Sequence, residues 1–389
     1  MAEKYTKSER VLRLIEGKDV DYLPSHIEFT DRSRYKAISE SLGLDSENDL
    51  DDYLENHFYY SFTLNDKPMF YRDVKEEVKR LEELGYTKAD WENNILYDIW
   101  GTGFKMGYWS LNPTFEPLRH RGDKEVLKFL PDRIKPAMLE DDLGKAVEKY
   151  LIPDLNKKDN FIEWEDDLRK RSKDIVVLPT SYVGIFERSY LVMGFEQLML
   201  NVALEPGIVE AMFEKVTEFK IGIAKKAVEL GFKVAHCGDD LGTQKGGLFS
   251  ASNFRKLYLP RIKRFWEVYV NAGIPIMLHS CGNIIDYLPD LIDAGLKILE
   301  PTQPCMDLKY LKKEFGKDLV FFGGIDTQQL PFISEKETRE LARNTIRILG
   351  KGGGYIIAPS QEIMNDIPIE NVKAIVETIR EERENVLSL

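Results

Sequence analysis

The sequence predicts an α/β protein of the (β/α)8 TIM-barrel type, and three observations carry that prediction. From about residue 174, short apolar runs that end in polar residues alternate with helical stretches, the order that builds a parallel sheet. Six such runs follow one another, and Ser25 to Phe29 plus one further run near the segment Trp91 to Trp109 bring the count to the eight a barrel needs. No Gly-x-Gly-x-x-Gly opens any helix, which a nucleotide-binding open sheet would show.

Taken in order, the first ninety residues are charged and aromatic. Val74 to Leu84 has a helical pattern, and Asp45 to Glu55 is so dense in carboxylates that it reads as a solvated face. Residues 1–90 are therefore expected to form an N-terminal helical cap that contributes to the barrel, and residues 91–389 the catalytic barrel itself. Between Trp91 and Trp109, β-prone pieces around Gly101, Gly103 and Gly107 predict an inserted hairpin or lid. The barrel strands are expected at Ile175–Pro179, Lys233–Asp240, Ile274–Cys281, Lys297–Pro304, Leu319–Asp326 and Gly354–Ser360. Phe254 to Gly273 and Glu337 to Leu349 between them carry apolar residues at a 3.6 period and end at glycine, as helices do.

The formal net charge of -12 argues against nucleic acid as the main partner, because phosphate backbones demand a basic footprint. No window holds 18 consecutive apolar residues, and Met1 to Lys7 lacks the apolar core of a signal peptide, so a cytoplasmic protein with no membrane span is expected. Cys237, Cys281 and Cys305 are too few, and odd in number, to staple a chain this long. A homodimer is the base-rate expectation for assembly.

Strand ends are where parallel α/β proteins do chemistry. Collected there are Glu28 and Asp31, Ser181 and Tyr182, His236 with Asp239 and Asp240, His279 with Cys281, Glu300 with Gln303, Asp326, and Gln361 with Glu362. The sharpest feature is Leu278-His279-Ser280-Cys281-Gly282-Asn283. Strand side chains alternate faces, so His279 and Cys281 project to the same side and can reach one metal ion together. They are two ligands of the kind that suits Zn2+, and the third is expected from Asp239, Asp240, Gln361 or Glu362. Two adjacent carboxylates cannot both face one way, so one of Asp239 and Asp240 is expected to face the cavity. The other then caps a helix or pairs with an arginine.

Six motifs in order give the C-terminal two thirds a family resemblance. They are Phe186-Glu187-Arg188 leading into Met193-Gly194-Phe195-Glu196, Asp239-Asp240-Leu241-Gly242-Thr243-Gln244, His279-Ser280-Cys281-Gly282-Asn283, Phe322-Gly323-Gly324-Ile325-Asp326-Thr327-Gln328, Gly352 through Ser360, and Ile367 through Val372. The chain resembles the uroporphyrinogen decarboxylase superfamily, which holds tetrapyrrole decarboxylases and methyltransferases that work with a corrinoid protein. Decarboxylases carry Met-Arg-Gln-Ala-Gly-Arg at the first strand to bind substrate carboxylates. Here that region reads Ser25-His26-Ile27-Glu28-Phe29-Thr30-Asp31-Arg32-Ser33, and the mouth is acidic where a poly-carboxylate needs arginines.

The methyltransferase branch is similar at its zinc-binding His-x-Cys pair, matched by His279 and Cys281. Its remaining thiolate comes from the last strand's loop, where Gln361 stands in this chain, a departure that weakens activation of a thiol such as coenzyme M. The resemblance therefore implies demethylation: a methyl group passing between a methoxylated or methylated small molecule and the cobalt of a partner. The implied metal ligands are His279, Cys281 and Glu362, and the implied catalytic residues Asp239, Asp240, Glu362 and Tyr182. Tyr182 and Gln303 are expected to orient the substrate, and Gln303 and Asn283 are the implied cofactor contacts. The chain has no Asp-x-His-x-x-Gly corrinoid-ligating signature, so cobalamin is expected on a separate protein. A uroporphyrinogen-type decarboxylase and a methylcobamide:thiol methyltransferase are the alternatives.

Overall fold

The computed structural model describes residues 4–30, 32–44, 47–70, 75–107, 112–157, 159–181 and 183–388. Its strands are β1 (Phe58–Phe62), β2 (Thr87–Asp90), β3 (Ile95–Asp98), β4 (Gly103–Lys105), β5 (Val176–Ser181), β6 (Ala235–Gly238), β7 (Ile276–His279), β8 (Leu296–Thr302), β9 (Val320–Ile325) and β10 (Tyr355–Pro359). Seven of them form one sheet in the order β1-β5-β6-β7-β8-β9-β10, and every neighbouring pair is parallel. β9, Val-Phe-Phe-Gly-Gly-Ile, is buried along its whole length, as a parallel strand is when its other face is covered by helices.

Residues 24–30 close the curled sheet between β10 and β1. On one side the His26 N–H donates to the Ile357 carbonyl (3.0 Å) and the Ile357 N–H to that of Pro24 (2.8 Å). On the other the His57 N–H donates to the Ser25 carbonyl (3.1 Å). The rest of that side is completed by a side chain, because Asn56 accepts from the Ile27 N–H (2.8 Å) and donates to the Ile27 carbonyl (2.9 Å). An amide side chain standing in for main chain leaves Ser25 to Phe29 paired through isolated bridges rather than as a regular strand. The eighth run was expected near Trp91 to Trp109. It lies earlier, at β1, and its Phe-Tyr-Tyr-Ser-Phe sequence shows little apolar alternation.

The helices are set by ordinary terminal signals. Pro206 opens the longest, Pro206–Leu230, and Gly231 closes it in the left-handed region at φ 85°. Ser334 and Glu337 make a reciprocal capping box at the start of Glu335–Gly350. Among the described residues no helix is long and apolar enough to cross a membrane.

The expected hairpin is a three-stranded antiparallel sheet, β2-β3-β4, starting at Thr87; Trp109 lies outside the described residues. It is pinned to the barrel by charge. Asp98, buried at the end of β3, accepts from Arg188 Nη1 (2.8 Å) and from the N–H groups of Trp100 and Thr102 (2.9 Å each). Arg188 also lies 3.8 Å from Asp66 and over the Trp100 ring. In the carboxylate-rich stretch, the helix Glu47–Leu54 buries Leu50 and Leu54 and exposes Asp51 and Asp52.

Candidate active site

Because the strands run parallel, their C-terminal ends deliver β6's Asp239 and Asp240, β7's His279 and Cys281, β8's Glu300 and β10's Gln361 and Glu362 to one mouth. The turn after β7 is fixed by close backbone approach. The Asn283 N–H donates to the Thr243 carbonyl (2.7 Å), and a Cβ on Gly282, whose φ is 85°, would sit 2.3 Å from the Gly242 carbonyl carbon. Only glycine fits there, which locks Cys281 beside the loop that carries Asp240.

Asp240, His279 and Cys281 form a donor cluster whose ligand atoms all lie within 4.8 Å of one another. The Cys281 sulfur is 3.8 Å from His279 Nε2, and Asp240 Oδ1 is 3.9 Å from the same nitrogen. Ligands at about 2.0–2.3 Å from a tetrahedral zinc lie roughly 3.3–3.6 Å apart, so a small inward adjustment suffices to bind one. The outer nitrogen of His279 is held as metal-ligating histidines usually are: Nδ1 sits 2.9 Å from Glu300 Oε2. His236, with Nε2 at 3.4 Å from the same oxygen, braces Glu300 from below. The residues fit a zinc ion in donor type, spacing and support.

The charges follow this geometry. Burial would raise the Glu300 carboxyl, but the His279 charge and hydrogen bonds from both histidines outweigh it and hold Glu300 at about 2. Burial would equally lower His279, yet Glu300 and Cys281 keep it well above the ordinary imidazole range. Burial pushes the Cys281 thiol up to about 11 against the lowering pull of His279. A bound metal would deprotonate it outright.

Several site residues take places other than those expected. Of the expected third donors, Asp240 stands with His279 and Cys281 in a cluster that could hold a metal ion, and Glu362 is not part of that cluster. Glu362 lines an inner cavity with His26, Glu28, Tyr60, Glu300 and Phe322. Asp239 turns away from the mouth: its carboxylate accepts from the N–H groups of Phe186 and Glu187 and from the Tyr258 hydroxyl, each at 2.8 Å. It thus caps the helix Ile185–Met193, while Asp240 takes the cavity side. Gln303 accepts from the Gly282 N–H (2.7 Å) and donates to the Ser360 carbonyl (3.0 Å), so it ties the β7 and β10 loops together. The Asn283 side chain donates to the Cys305 carbonyl after β8 and accepts from the Ile285 N–H of its own loop. Asp326 caps the turn it starts, accepting from Gln328 and Gln329. Gln361 donates to the Cys281 sulfur at 3.4 Å. Tyr182 and Asp31 lie outside the described residues.

Three residues were not singled out by sequence. Glu187 is buried, and burial with the Asp240 and Asp239 charges pushes its carboxyl well above the usual range. It belongs to the quoted Phe186–Arg188 motif, so a signal existed. His26 and Tyr60 meet in the inner cavity, rings 5.5 Å apart, with no local signature in their sequence. A wider cavity includes Asp240, Phe186, Tyr190, Glu116 and Arg119 in its wall.

Comparison with known proteins agrees with this architecture. The methylcobamide:CoM methyltransferase MtaA of Methanosarcina barkeri is 28% identical over 160 residues, 41% of this chain and 45% of that enzyme. The uroporphyrinogen decarboxylase of Christiangramia forsetii is 21% identical over 252 residues, 62% of this chain and 71% of that enzyme. The chain thus spans about half the length of the methyltransferase it matches. The solved structure of a methyltransferase from Methanosarcina mazei superposes with a TM-score of 0.61 at 18% identity, covering 97% of this chain and 99% of that one, which shows a shared fold. The description of the uroporphyrinogen decarboxylase (URO-D) family matches residues 145–382, well over half the chain, and the protein belongs to that family.

Proposed function

We propose that the protein is a corrinoid-dependent methyltransferase, moving a methyl group between a methylated or methoxylated small molecule and the cobalt of a separate corrinoid protein. The observation that carries this reading is the Asp240–His279–Cys281 donor cluster braced by Glu300, set in a family whose matches include methylcobamide methyltransferases. Asp240, His279 and Cys281 would hold a zinc ion, which when bound supplies Lewis acidity beside the departing heteroatom.

The rest of the chemistry falls to the chain's own side chains. When a C–O or C–N bond to methyl breaks, the heteroatom keeps the electron pair and needs a proton. Glu362 is placed to give one: burial, with the Glu300 and Asp240 charges, raises its carboxyl against the lowering effect of His279, so it retains a proton longer than a free glutamate. Glu300 fixes the orientation and charge of His279. Asp239 positions rather than reacts, because its oxygens hold the Ile185–Met193 helix. Tyr182 is proposed to orient the substrate.

The wider coverage of the decarboxylase relative favours a second reading, decarboxylation of a tetrapyrrole. Against it, the inner cavity wall carries Glu28, Glu300 and Glu362 and, among the described residues, no lysine or arginine to receive substrate carboxylates.

The test is to incubate zinc-loaded protein with chemically reduced cobalamin and a panel of methyl ethers and methylated amines, following methylation of the cobalamin by its absorbance. Transfer from at least one donor, lost in Cys281→Ala, supports the reading. Conversion of uroporphyrinogen to coproporphyrinogen with no methyl transfer would overturn it.

A further inference from the structure

The inner cavity contains a histidine with nothing to bind. His26 is 6% exposed, and neither ring nitrogen has a hydrogen-bond partner. Its ring is enclosed by Phe58 at 5.9 Å, Tyr60 at 5.5 Å and Phe322 at 6.0 Å between centroids, and it lines the cavity wall. Buried polar groups are almost always satisfied, so an orphaned imidazole facing a void points to a missing guest. Burial drives His26 down to about 4, against a small raising pull from Glu300, so at neutral pH it offers one N–H and one bare nitrogen.

The rest of the wall selects the charge of that guest. Glu28, Glu300 and Glu362 line the cavity, and Tyr60 and Phe322 add aromatic rings, the kind of group that binds cations. A zinc ion on the neighbouring donors adds a dication, but with Asp240 and the Cys281 thiolate counted the surroundings stay net negative. Proline and aromatic carbon make up much of the remaining wall, which suits a small guest that has shed its water. An ion that brings its own apolar coat meets both conditions.

We propose that this cavity binds a small methylated ammonium ion, with His26 accepting its N–H and Glu28, Glu300, Tyr60 and Phe322 balancing its charge. Taking that ion as the methyl donor rests on the methyltransferase reading above; binding itself does not. His26 thereby becomes a specificity-determining residue. It distinguishes ammonium ions that carry an N–H from quaternary ones, which have none to donate.

The experiment is isothermal titration calorimetry of the full chain with trimethylammonium, tetramethylammonium and methoxybenzene, repeated on His26→Leu and Glu28→Gln. Trimethylammonium should bind more tightly than tetramethylammonium. His26→Leu should weaken trimethylammonium about tenfold, the worth of one lost hydrogen bond, and leave tetramethylammonium unchanged. Glu28→Gln should weaken both ions alike, a result that stands even if His26→Leu fails to fold. Saturable binding of methoxybenzene alone, or no heat with either ion, would overturn the proposal, the latter meaning that His26 meets only water. Ion binding without any methyl transfer to cobalamin would keep the cavity assignment and remove the methyltransferase reading. Methyl transfer from methoxybenzene without ion binding would do the reverse.

Discussion

Gly184→Ala tests whether the mouth is built on the Asp239 cap. Gly184 precedes the helix Ile185–Met193, and a Cβ there would lie 2.2 Å from the Gly238 carbonyl oxygen and 2.3 Å from Asp239 Cγ. Neither neighbour is a flexible tip. Relieving the clash to an ordinary contact of 3.4 Å moves the helix start by about 1 Å, which stretches the 2.8 Å bonds from the Phe186 and Glu187 N–H groups beyond hydrogen-bond range. Hydrogen bonds to a charged group contribute about 1.5–3 kcal/mol each, so losing two costs roughly 3–6 kcal/mol. At about 2.1 cal/mol/K of unfolding entropy per residue, a chain of this length loses roughly 0.8 kcal/mol per degree near its midpoint, so melting should fall by about 4–8 °C. The control is Gly207→Ala. It sits in the first turn of Pro206–Leu230 with nothing within 4 Å of its would-be Cβ, so it should melt at or slightly above wild type. Differential scanning calorimetry of the three proteins is the assay. Equal melting temperatures for the two variants would refute the cap as the element that holds the mouth.

Two further predictions follow from the charges. Glu300→Gln leaves the fold intact but removes the carboxylate that orients and charges His279, so zinc affinity measured by chelator competition should drop about 10–100-fold; unchanged affinity would mean that Glu300 does not support the metal. The second concerns Asp21, which pairs with the buried Arg10 (Nε to Oδ1, 2.7 Å); burial would raise its carboxyl, but Arg10 draws it down to about 2. A folded-state pKa below the unfolded one stabilises fully above about pH 4, and that stability is lost as pH falls towards 2. Urea midpoints measured from pH 5 to 2 should therefore fall less steeply in Asp21→Asn than in wild type, and parallel curves would contradict the pairing.

Much of the barrel was legible because parallel strands buried on both faces are continuous apolar runs, and β5 to β10 all fall within or across the expected segments. β1 was missed because two half-buried tyrosines, of which Tyr60 borders the cavity, blur its apolar signal. Ser25 to Phe29 was placed correctly beside its neighbours, but sequence could not show that Asn56, a side chain, replaces main-chain pairing. At the mouth, His279 and Cys281 were readable from strand alternation alone. Which of the candidate third donors stands beside them was not, because the place of Asp240 depends on the backbone contact between Gly282 and Gly242, which sets two distant loops in register. Nor could sequence tell which of Asp239 and Asp240 faces inward; that is decided by the helix beginning at Ile185, whose N–H groups claim Asp239.

The identity of the third donor is the point on which the site turns. Elemental analysis of zinc in wild type, Cys281→Ala, Asp240→Ala and Glu362→Gln, each purified in the presence of zinc and then desalted, measures it directly. The account predicts about one zinc per chain in wild type and Glu362→Gln, and a loss of most of it in the other two. Zinc retained by Asp240→Ala and lost from Glu362→Gln, or none in wild type, would contradict it.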